Sequence, residues 1–226
     1  MEIDFWLERW NENQIGFHQQ SINPYLIYFY GEKGPAQEHR EKLKVFVPLC
    51  GKSKDMLWLS QNNYKVFAVE CSDLAVKSFF EENALNYKRA EKDEHALYQS
   101  SDLASEIEIY QGNFFSFQQS DLDDITDIFD RASLVALPVN MREQYAKKMA
   151  ELQQPGVRTL LVTLTYDQSE MNGPPFSVTE NNVSELYSDN FSVHKLCFKE
   201  IINDEPGFKE RGLTSLVETV YKLVRK

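Results

Sequence analysis

A carboxylate and a short turn lie about 20 residues apart, each at the end of an apolar run. The first run, Lys44–Val47, is followed by the turn Pro48-Leu-Cys-Gly, and the second run begins at Lys65 and ends at Glu70. In open α/β sheets the first turn meets the backbone of a nucleotide, and an acidic residue about 20 positions later accepts hydrogen bonds from the ribose hydroxyls. Because this turn lacks the glycine run that cradles a pyrophosphate, the pattern predicts a site for a nucleoside without one.

S-adenosylmethionine (SAM) is the nucleoside that this pattern favours, with Leu49 at the turn and Glu70 at the ribose. Ligands of open α/β sheets bind at the carboxyl ends of strands, which supports Glu70; a surface glutamate that merely ends a strand is the alternative. Gly51-Lys-Ser also ends like a phosphate-binding loop. The earlier glycine that such a loop needs is replaced by Phe46, so hydrolysis of a nucleoside triphosphate is not expected.

A second charged pair, Asp130-Arg131, directly follows the fourth predicted strand. The planar fork of donors on Arg131 suits a carboxylate or another anionic substrate, whereas a structural ion pair with Asp130 is the alternative. The four histidines are scattered without metal-ligand spacing, so no metal site is expected. No serine–histidine or cysteine–histidine arrangement indicates a nucleophile with its base.

Alternating strands and helices must position these residues. Hydrophobic periodicity predicts helices at 4–13, 53–62, 73–83 and 140–153, and strands at 43–49, 64–70, 106–111, 124–129 and 158–165. Ser53 and Ser72 are expected to begin the second and third helices. The polar segment 86–104 is interpreted as a helix or a surface excursion.

The last third of the chain breaks this alternation. Strand-like runs at 191–202 and 214–224 predict an antiparallel hairpin added to the edge of a mostly parallel sheet. This is the α/β, three-layer, Rossmann-like layout of class I methyltransferases. A single domain is expected over 1–226, with 1–30 as an N-terminal lid segment over the cofactor site.

Composition narrows the range of partners. The hydrophobic content of 42% is sufficient for a substantial core, and the net charge of −11 argues against a nucleic-acid partner. No apolar stretch is long enough to span a membrane, and the acidic N-terminus does not resemble a signal peptide. The three cysteines, Cys50, Cys71 and Cys197, lack metal-type spacing, so we expect reduced thiols in a cytoplasmic protein.

Stretches along most of the chain match one family. They are Phe5-Trp-Leu-Glu-Arg-Trp, Ile15-Gly-Phe-His-Gln, Val45-Phe-Val-Pro-Leu-Cys-Gly-Lys-Ser, Val69-Glu, Asp130-Arg-Ala-Ser-Leu-Val-Ala-Leu-Pro, Gly173-Pro-Pro-Phe-Ser-Val and Phe208-Lys-Glu-Arg. On these stretches the chain resembles the thiopurine S-methyltransferases of the bacterial type. The match weakens over 86–104, and no role is carried over there.

The resemblance implies a SAM site built from five residues of the N-terminal half. Trp10 would close over the bound SAM, the backbone of Leu49 would meet its methionine portion, and Glu70 would hold the ribose. Asn113 and Phe114, which follow the third predicted strand, would flank the adenine, a role that suits an aromatic or apolar face.

The resemblance also implies that Arg131 lies beside both SAM and the substrate. Residues that would line the substrate side are Phe17, His18, Phe176 and Arg211. Methyl transfer from a sulfonium is an in-line displacement, and heteroaromatic thiols ionise readily, so alignment matters more than a strong base. We therefore expect Arg131 to be catalytic by stabilising the thiolate or an adjacent group of a small-molecule thiol.

Two other functions remain open at this stage. The same core could methylate halide, selenium or tellurium species, with only the substrate pocket changed. A non-catalytic SAM-binding module is the second, although the aromatic residues Trp6, Trp10 and Phe17 and the Pro174-Pro-Phe segment favour a second pocket. A monomer is expected from the resemblance.

Overall fold

The computed structural model describes residues 3–41, 43–92, 94–102 and 106–226, and the chain divides into two compact units. The first unit comprises the described residues from 3 to 117 together with 124–129, and the second comprises 118–123 and 130–226. All predicted SAM residues except Arg131 therefore belong to the first unit.

Helices and strands alternate in the central part of the first unit. Its helices are α1 (Ile3–Asn11), α2 (Pro24–Leu26), a π-helical turn (Ile27–Glu32), α3 (Gln37–Arg40), α4 (Lys54–Gln61), α5 (Asp73–Glu82) and a 3₁₀ turn (Phe114–Ser116). Its strands are β1 (Lys44–Val47), β2 (Lys65–Glu70), β3 (Tyr87–Lys92), β4 (His95–Ser100), β5 (Ile107–Gln111) and the start of β6 (Asp127–Arg131). They pair in the order β3-β4-β5-β2-β1-β6, with the pairs β5–β2, β2–β1 and β1–β6 parallel.

The central strands form where the sequence has continuous apolar runs. Val45, Phe46 and the run from Val66 to Val69 are almost completely buried, as expected of parallel strands covered on both faces. The side chain of Ser53 accepts a hydrogen bond from a backbone N–H of α4, and that of Ser72 accepts one from α5. Both predicted helix starts are therefore confirmed. The fourth predicted strand, 124–129, is shifted and runs over Asp127–Arg131.

The interpretation of 86–104 as a helix or excursion is wrong where the structure describes it. Residues Tyr87–Lys92 and His95–Ser100 form an antiparallel hairpin, and β4 also pairs antiparallel with β5. Residues 93, 103 and 104 of that interpretation lie outside the described residues, as do residues 1 and 2 of the proposed lid. The error follows from β3, which is exposed along most of its length and has no apolar face.

The second unit contains the C-terminal strands. Its elements are a 3₁₀ turn (Gln119–Leu122), the end of β6, a 3₁₀ turn (Leu134–Ala136), α6 (Val139–Leu152), β7 (Arg158–Thr165), α7 (Glu180–Tyr187), β8 (Phe191–Glu200), α8 (Pro206–Glu210) and β9 (Val217–Arg225). The predicted antiparallel hairpin of β8 and β9 is confirmed, and β9 also pairs antiparallel with β7. Among the helices of the described residues, none has the length and apolar character that crossing a membrane requires.

Candidate active site

Glu70 ends β2 with a carboxylate that is bonded to the turn after β1. Its Oε2 accepts a hydrogen bond from the backbone N–H of Gly51 at 2.8 Å, and its Oε1 accepts one from the N–H of Ser72 at 2.8 Å. The thiol of Cys71 donates to Oε1 over 3.3 Å. Burial raises the pKa of the Glu70 carboxyl, and these donors offset part of that effect. The turn and the carboxylate that the sequence pattern singles out therefore lie in direct contact.

The turn itself has an unusual backbone. Leu49 and Gly51 have positive φ angles of 45° and 52°. A Cβ atom on Gly51 would lie 3.2 Å from Cζ2 of Trp10, a buried residue of α1. Glycine is needed at position 51 both for this conformation and for the close approach of the indole ring. The turn at Leu49–Gly51 therefore lies between Trp10 and Glu70 and contacts both.

Phe17 packs between two tryptophans of α1, Trp6 and Trp10. The ring of Phe17 packs edge-on against Trp10 and against Trp6, each with 5.5 Å between ring centroids. The backbone N–H of His18 donates to the carbonyl of Ile15 at 2.8 Å, which bends this segment back on itself. Phe17 and His18 are half-buried. The structure therefore places Phe17 against the proposed lid residue.

The Phe114 ring, in the loop after β5, is buried in the core. Phe114 is only 3% exposed, and its ring stacks parallel to Phe46 in the core, so almost none of it can contact a ligand. The side-chain Oδ1 of Asn113 accepts from the N–H of Phe115 at 3.0 Å. The N–H of Gly112 donates to the carbonyl of Glu70 at 2.9 Å, so the loop begins beside the end of β2.

The donors and acceptors around Glu70 fit a nucleoside that carries no phosphate. A carboxylate has about four acceptor positions, and Gly51, Ser72 and Cys71 occupy three of them here. Burial and the charge of Glu70 raise the pKa of the Cys71 thiol, so it stays a protonated, weak donor that a ribose hydroxyl can replace. The cation of the turn, Lys52, is paired with Glu82 at 2.6 Å. Across the part of the chain that the structure describes, no group of three or more histidine, cysteine, aspartate or glutamate side chains could hold a metal ion.

In the second unit, Asp130 and Arg131 form the end of β6. Asp130 is 1% exposed, and its Oδ2 accepts a hydrogen bond from the hydroxyl of Tyr145 on α6 at 2.8 Å. Burial raises the pKa of Asp130 to about 6. Because successive side chains of a strand point to opposite faces, the half-buried Arg131 points away from this contact. Asp130 thus has a partner of its own on α6.

The segment around Phe176 brings two predicted substrate residues together within this unit. The N–H of Phe176 donates to the carbonyl of Val135 at 2.7 Å. The guanidinium Nη2 of the exposed Arg211 donates to the carbonyl of Pro174 at 3.3 Å. Phe176 and Arg211 therefore belong to one surface feature, the Pro174–Phe176 segment with the end of α8.

Arg142 supports this segment and is absent from the predicted site. Its Nε donates to the carbonyl of Leu137 at 2.9 Å, and its Nη1 donates to the carbonyl of Ser177 at 3.0 Å. The guanidinium also lies 6.0 Å from the ring centroid of Phe176. The sequence contains a sign that Arg142 is buried, because it shares one helical face with the buried residues Tyr145 and Met149.

Comparison with solved structures shows the fold. A SAM-dependent methyltransferase from Anabaena variabilis matches with a TM-score of 0.65 over 99% of this chain and 95% of its own, at 13% identity. A 1,6-didemethyltoxoflavin-N1-methyltransferase from Burkholderia thailandensis, solved with bound S-adenosylhomocysteine, matches with a TM-score of 0.63 over 99% of this chain and 87% of its own, at 10% identity. The predicted three-layer, Rossmann-like class I methyltransferase fold is confirmed.

Sequence comparison identifies the family. The family model "Thiopurine S-methyltransferase" matches residues 1–226. Curated relatives with that name from Pseudomonas fluorescens and a Shewanella species are 42% and 41% identical, each over 100% of this chain and 100% of their own. The chain belongs to the thiopurine S-methyltransferase family, and it is a SAM-dependent S-methyltransferase.

Proposed function

We propose that this enzyme methylates the sulfur of small aromatic or heterocyclic thiols, thiopurines among them. The observation that carries the proposal is the buried Glu70 carboxylate, bonded to Gly51 where the Trp10 ring approaches, with Lys52 of the turn paired to Glu82. The names of the relatives support a heterocyclic thiol as the acceptor.

SAM, when bound, supplies a methyl group already activated on a sulfonium sulfur. In this proposal Glu70 accepts the ribose hydroxyls, and the Leu49 backbone binds the methionine portion. Trp10 covers the cofactor and excludes water. Because the Phe114 ring is buried, the backbone of Asn113 and Phe114 meets the adenine.

The chain's remaining task is to bind and orient the acceptor sulfur. We assign Arg131 the catalytic role, in which its guanidinium stabilises the negative charge of the thiolate. We also assign Phe17, His18, Phe176 and Arg211 to the acceptor. Heteroaromatic thiols ionise readily, so no general base is needed, and the bond from Tyr145 to Asp130 gives that carboxyl a structural role.

The test of the reaction is methyl transfer from labelled SAM to 6-mercaptopurine, an aromatic thiol such as thiosalicylate, iodide and selenite. Turnover of the aromatic thiols supports the proposal. Turnover of iodide or selenite alone would keep the fold and family but overturn the acceptor class.

Loss of one charge-assisted hydrogen bond costs about 1.5–3 kcal/mol, so Arg131→Ala should lower kcat/KM for the thiol about 10–100-fold. Arg131→Lys should lower kcat/KM less than Arg131→Ala does. Full activity of Arg131→Ala would exclude the catalytic role assigned to Arg131.

The cofactor side is tested with Glu70→Gln. The variant keeps the shape but loses the charge that strengthens the ribose bonds, so the Kd for SAM should rise about 10–100-fold while kcat at saturating SAM changes little. Glu81→Gln, an exposed change on α5, is the matched control and should leave the Kd unaltered. Equal Kd values for the two variants would exclude Glu70 as the ribose ligand.

We also propose that the whole chain acts as one methyltransferase domain, monomeric and cytoplasmic, without a nucleic-acid partner. The family model covers both units, which supports a single functional domain. All three cysteines are free thiols, and the net charge is −11. Light scattering after size-exclusion chromatography should give the mass of one chain, and a dimer mass would contradict this part of the proposal.

A further inference from the structure

His95, the first residue of β4, contacts the loop after β5. Its Nε2 lies 2.9 Å from Oγ of Ser116 and 3.3 Å from the carbonyl oxygen of Asn113. The histidine is 9% exposed, so water competes little for these bonds. The hairpin that sequence periodicity does not predict therefore reaches the loop assigned to the adenine.

The His95 ring is held by close packing as well. Its centroid lies 4.2 Å from that of Phe117, which is 1% exposed. A Cβ atom on Gly112 would lie 2.5 Å from Cδ2 of His95, so the ring occupies space that only a glycine leaves open. The loop is thus contacted by His95 at both of its ends.

The hydrogen-bond partners of Nε2 favour the tautomer in which Nε2 carries the proton. The hydroxyl of Ser116 donates to the carbonyl of Asn113 at 2.7 Å, so its oxygen is left to accept. A carbonyl oxygen can only accept, and both contacts of Nε2 are therefore satisfied when Nε2 carries the hydrogen. His95 is then the donor that joins Ser116 and Asn113 into one network.

We propose that His95 is a positioning residue for the cofactor: it holds the Asn113–Ser116 loop so that the loop backbone meets the adenine. This inference rests on the proposed role of that loop in SAM binding. His95 does not touch the reacting atoms in this proposal, and it acts through the geometry of the loop. Its loss should therefore weaken binding of the adenine portion and leave the ribose portion bound as before.

The experiment compares two ligands in two variants. His95→Phe keeps an aromatic ring against Phe117 but removes the donor, and His95→Gln restores an N–H donor. The Kd for S-adenosylhomocysteine should rise about 5–10-fold in His95→Phe, which corresponds to one neutral hydrogen bond, and recover to within about 3-fold in His95→Gln. S-ribosylhomocysteine lacks the adenine, and its Kd should be equal in His95→Phe and the wild-type enzyme.

Kinetics and a second variant complete the test. In His95→Phe the KM for SAM should rise while kcat at saturating SAM stays within about 2-fold. If His95→Phe does not fold, Ser116→Ala removes the partner hydroxyl and should show the same ligand dependence. An unchanged Kd for S-adenosylhomocysteine, or an equal loss for both ligands, would overturn the inference.

The Glu70→Gln variant separates this inference from the proposed function. If Glu70→Gln weakens the binding of S-adenosylhomocysteine but His95→Phe does not, only the proposed role of His95 fails. If neither variant affects binding, the cofactor site assigned around Glu70 fails, and the inference from His95 fails with it.

Discussion

The buried carboxyl of Asp130 should make part of the stability depend on pH. Burial raises its pKa from 3.8 to about 6, with hydrogen bonds from the Tyr145 and Ser133 hydroxyls offsetting part of the effect. Because the folded pKa is the higher one, the contribution of this group to stability is fully present below about pH 4 and is lost as the pH rises through 6. The difference of about 2 pKa units corresponds to about 3 kcal/mol.

The perturbation is Asp130→Asn, which cannot ionise. Its free energy of unfolding, relative to the wild-type enzyme, should increase by about 2.4 kcal/mol between pH 4 and pH 7.5 and stay level above that. A constant offset between the two proteins reports the hydrogen bonds that change, including the one from Tyr145 at 2.8 Å. Only the pH-dependent part measures ionisation, so the two effects separate.

The assay is urea unfolding followed by circular dichroism at a series of pH values. Asp167→Asn is the control, because the hydroxyl and N–H of Ser169 hold the pKa of Asp167 below its ordinary value. That variant should lose stability relative to the wild-type enzyme as the pH rises to about 4, the opposite direction, and its difference should stay nearly level above that. A difference for Asp130→Asn that stays constant from pH 4 to pH 8 would refute the argument that burial dominates this carboxyl.

Two glycine substitutions test the walls of the site. Gly51→Ala should lower the free energy of unfolding by about 1–2 kcal/mol and raise the Kd for SAM, because φ is 52° and the new Cβ meets Trp10. The control is Gly207→Ala on α8, which has open space around it. In urea unfolding this control should be neutral or stabilising, and its Kd for SAM should not change. Gly173→Ala places a Cβ 2.5 Å from the Phe176 ring and should raise the KM of the thiol acceptor several-fold. Gly156→Ala shares the positive φ but has no neighbour within 4 Å, so steady-state kinetics should show an unchanged KM.

The core strands of the first unit could be predicted because buried strands have short, continuous apolar runs in the sequence. Lys65–Glu70 is buried from its second residue onward, and the helix starts at Ser53 and Ser72 carry their own capping hydroxyls. The hairpin of β3 and β4 could not be predicted in the same way. Its outer strand, Tyr87–Lys92, is an exposed edge held by pairing with its neighbour, and edge pairing leaves no apolar period in the sequence.

Some contacts of the candidate site could also be predicted from the sequence, and others could not. Parallel strand ends meet at one edge of a sheet, so the contact between Glu70 and the turn after β1 follows from topology. The contacts of His95 and Arg142 depend on a hairpin and a helix whose positions are determined by the whole fold. A histidine or an arginine met alone in the sequence gives no sign of the carbonyl that it will contact.

Gly51 links the Glu70 carboxylate to the N-terminal helix. Its N–H donates to the carboxylate and its Cα lies close to the Trp10 ring, so one residue joins Glu70 to α1. A ligand that competes for Oε2 must act on the Gly51 amide, whereas one that replaces the weaker thiol donor at Oε1 leaves it in place. In the proposed binding mode, a ribose hydroxyl at Oε1 leaves the contact between Gly51 and Trp10 in place, so this side of the site is formed before the cofactor binds. Such preorganisation lowers the cost of ordering the site on binding.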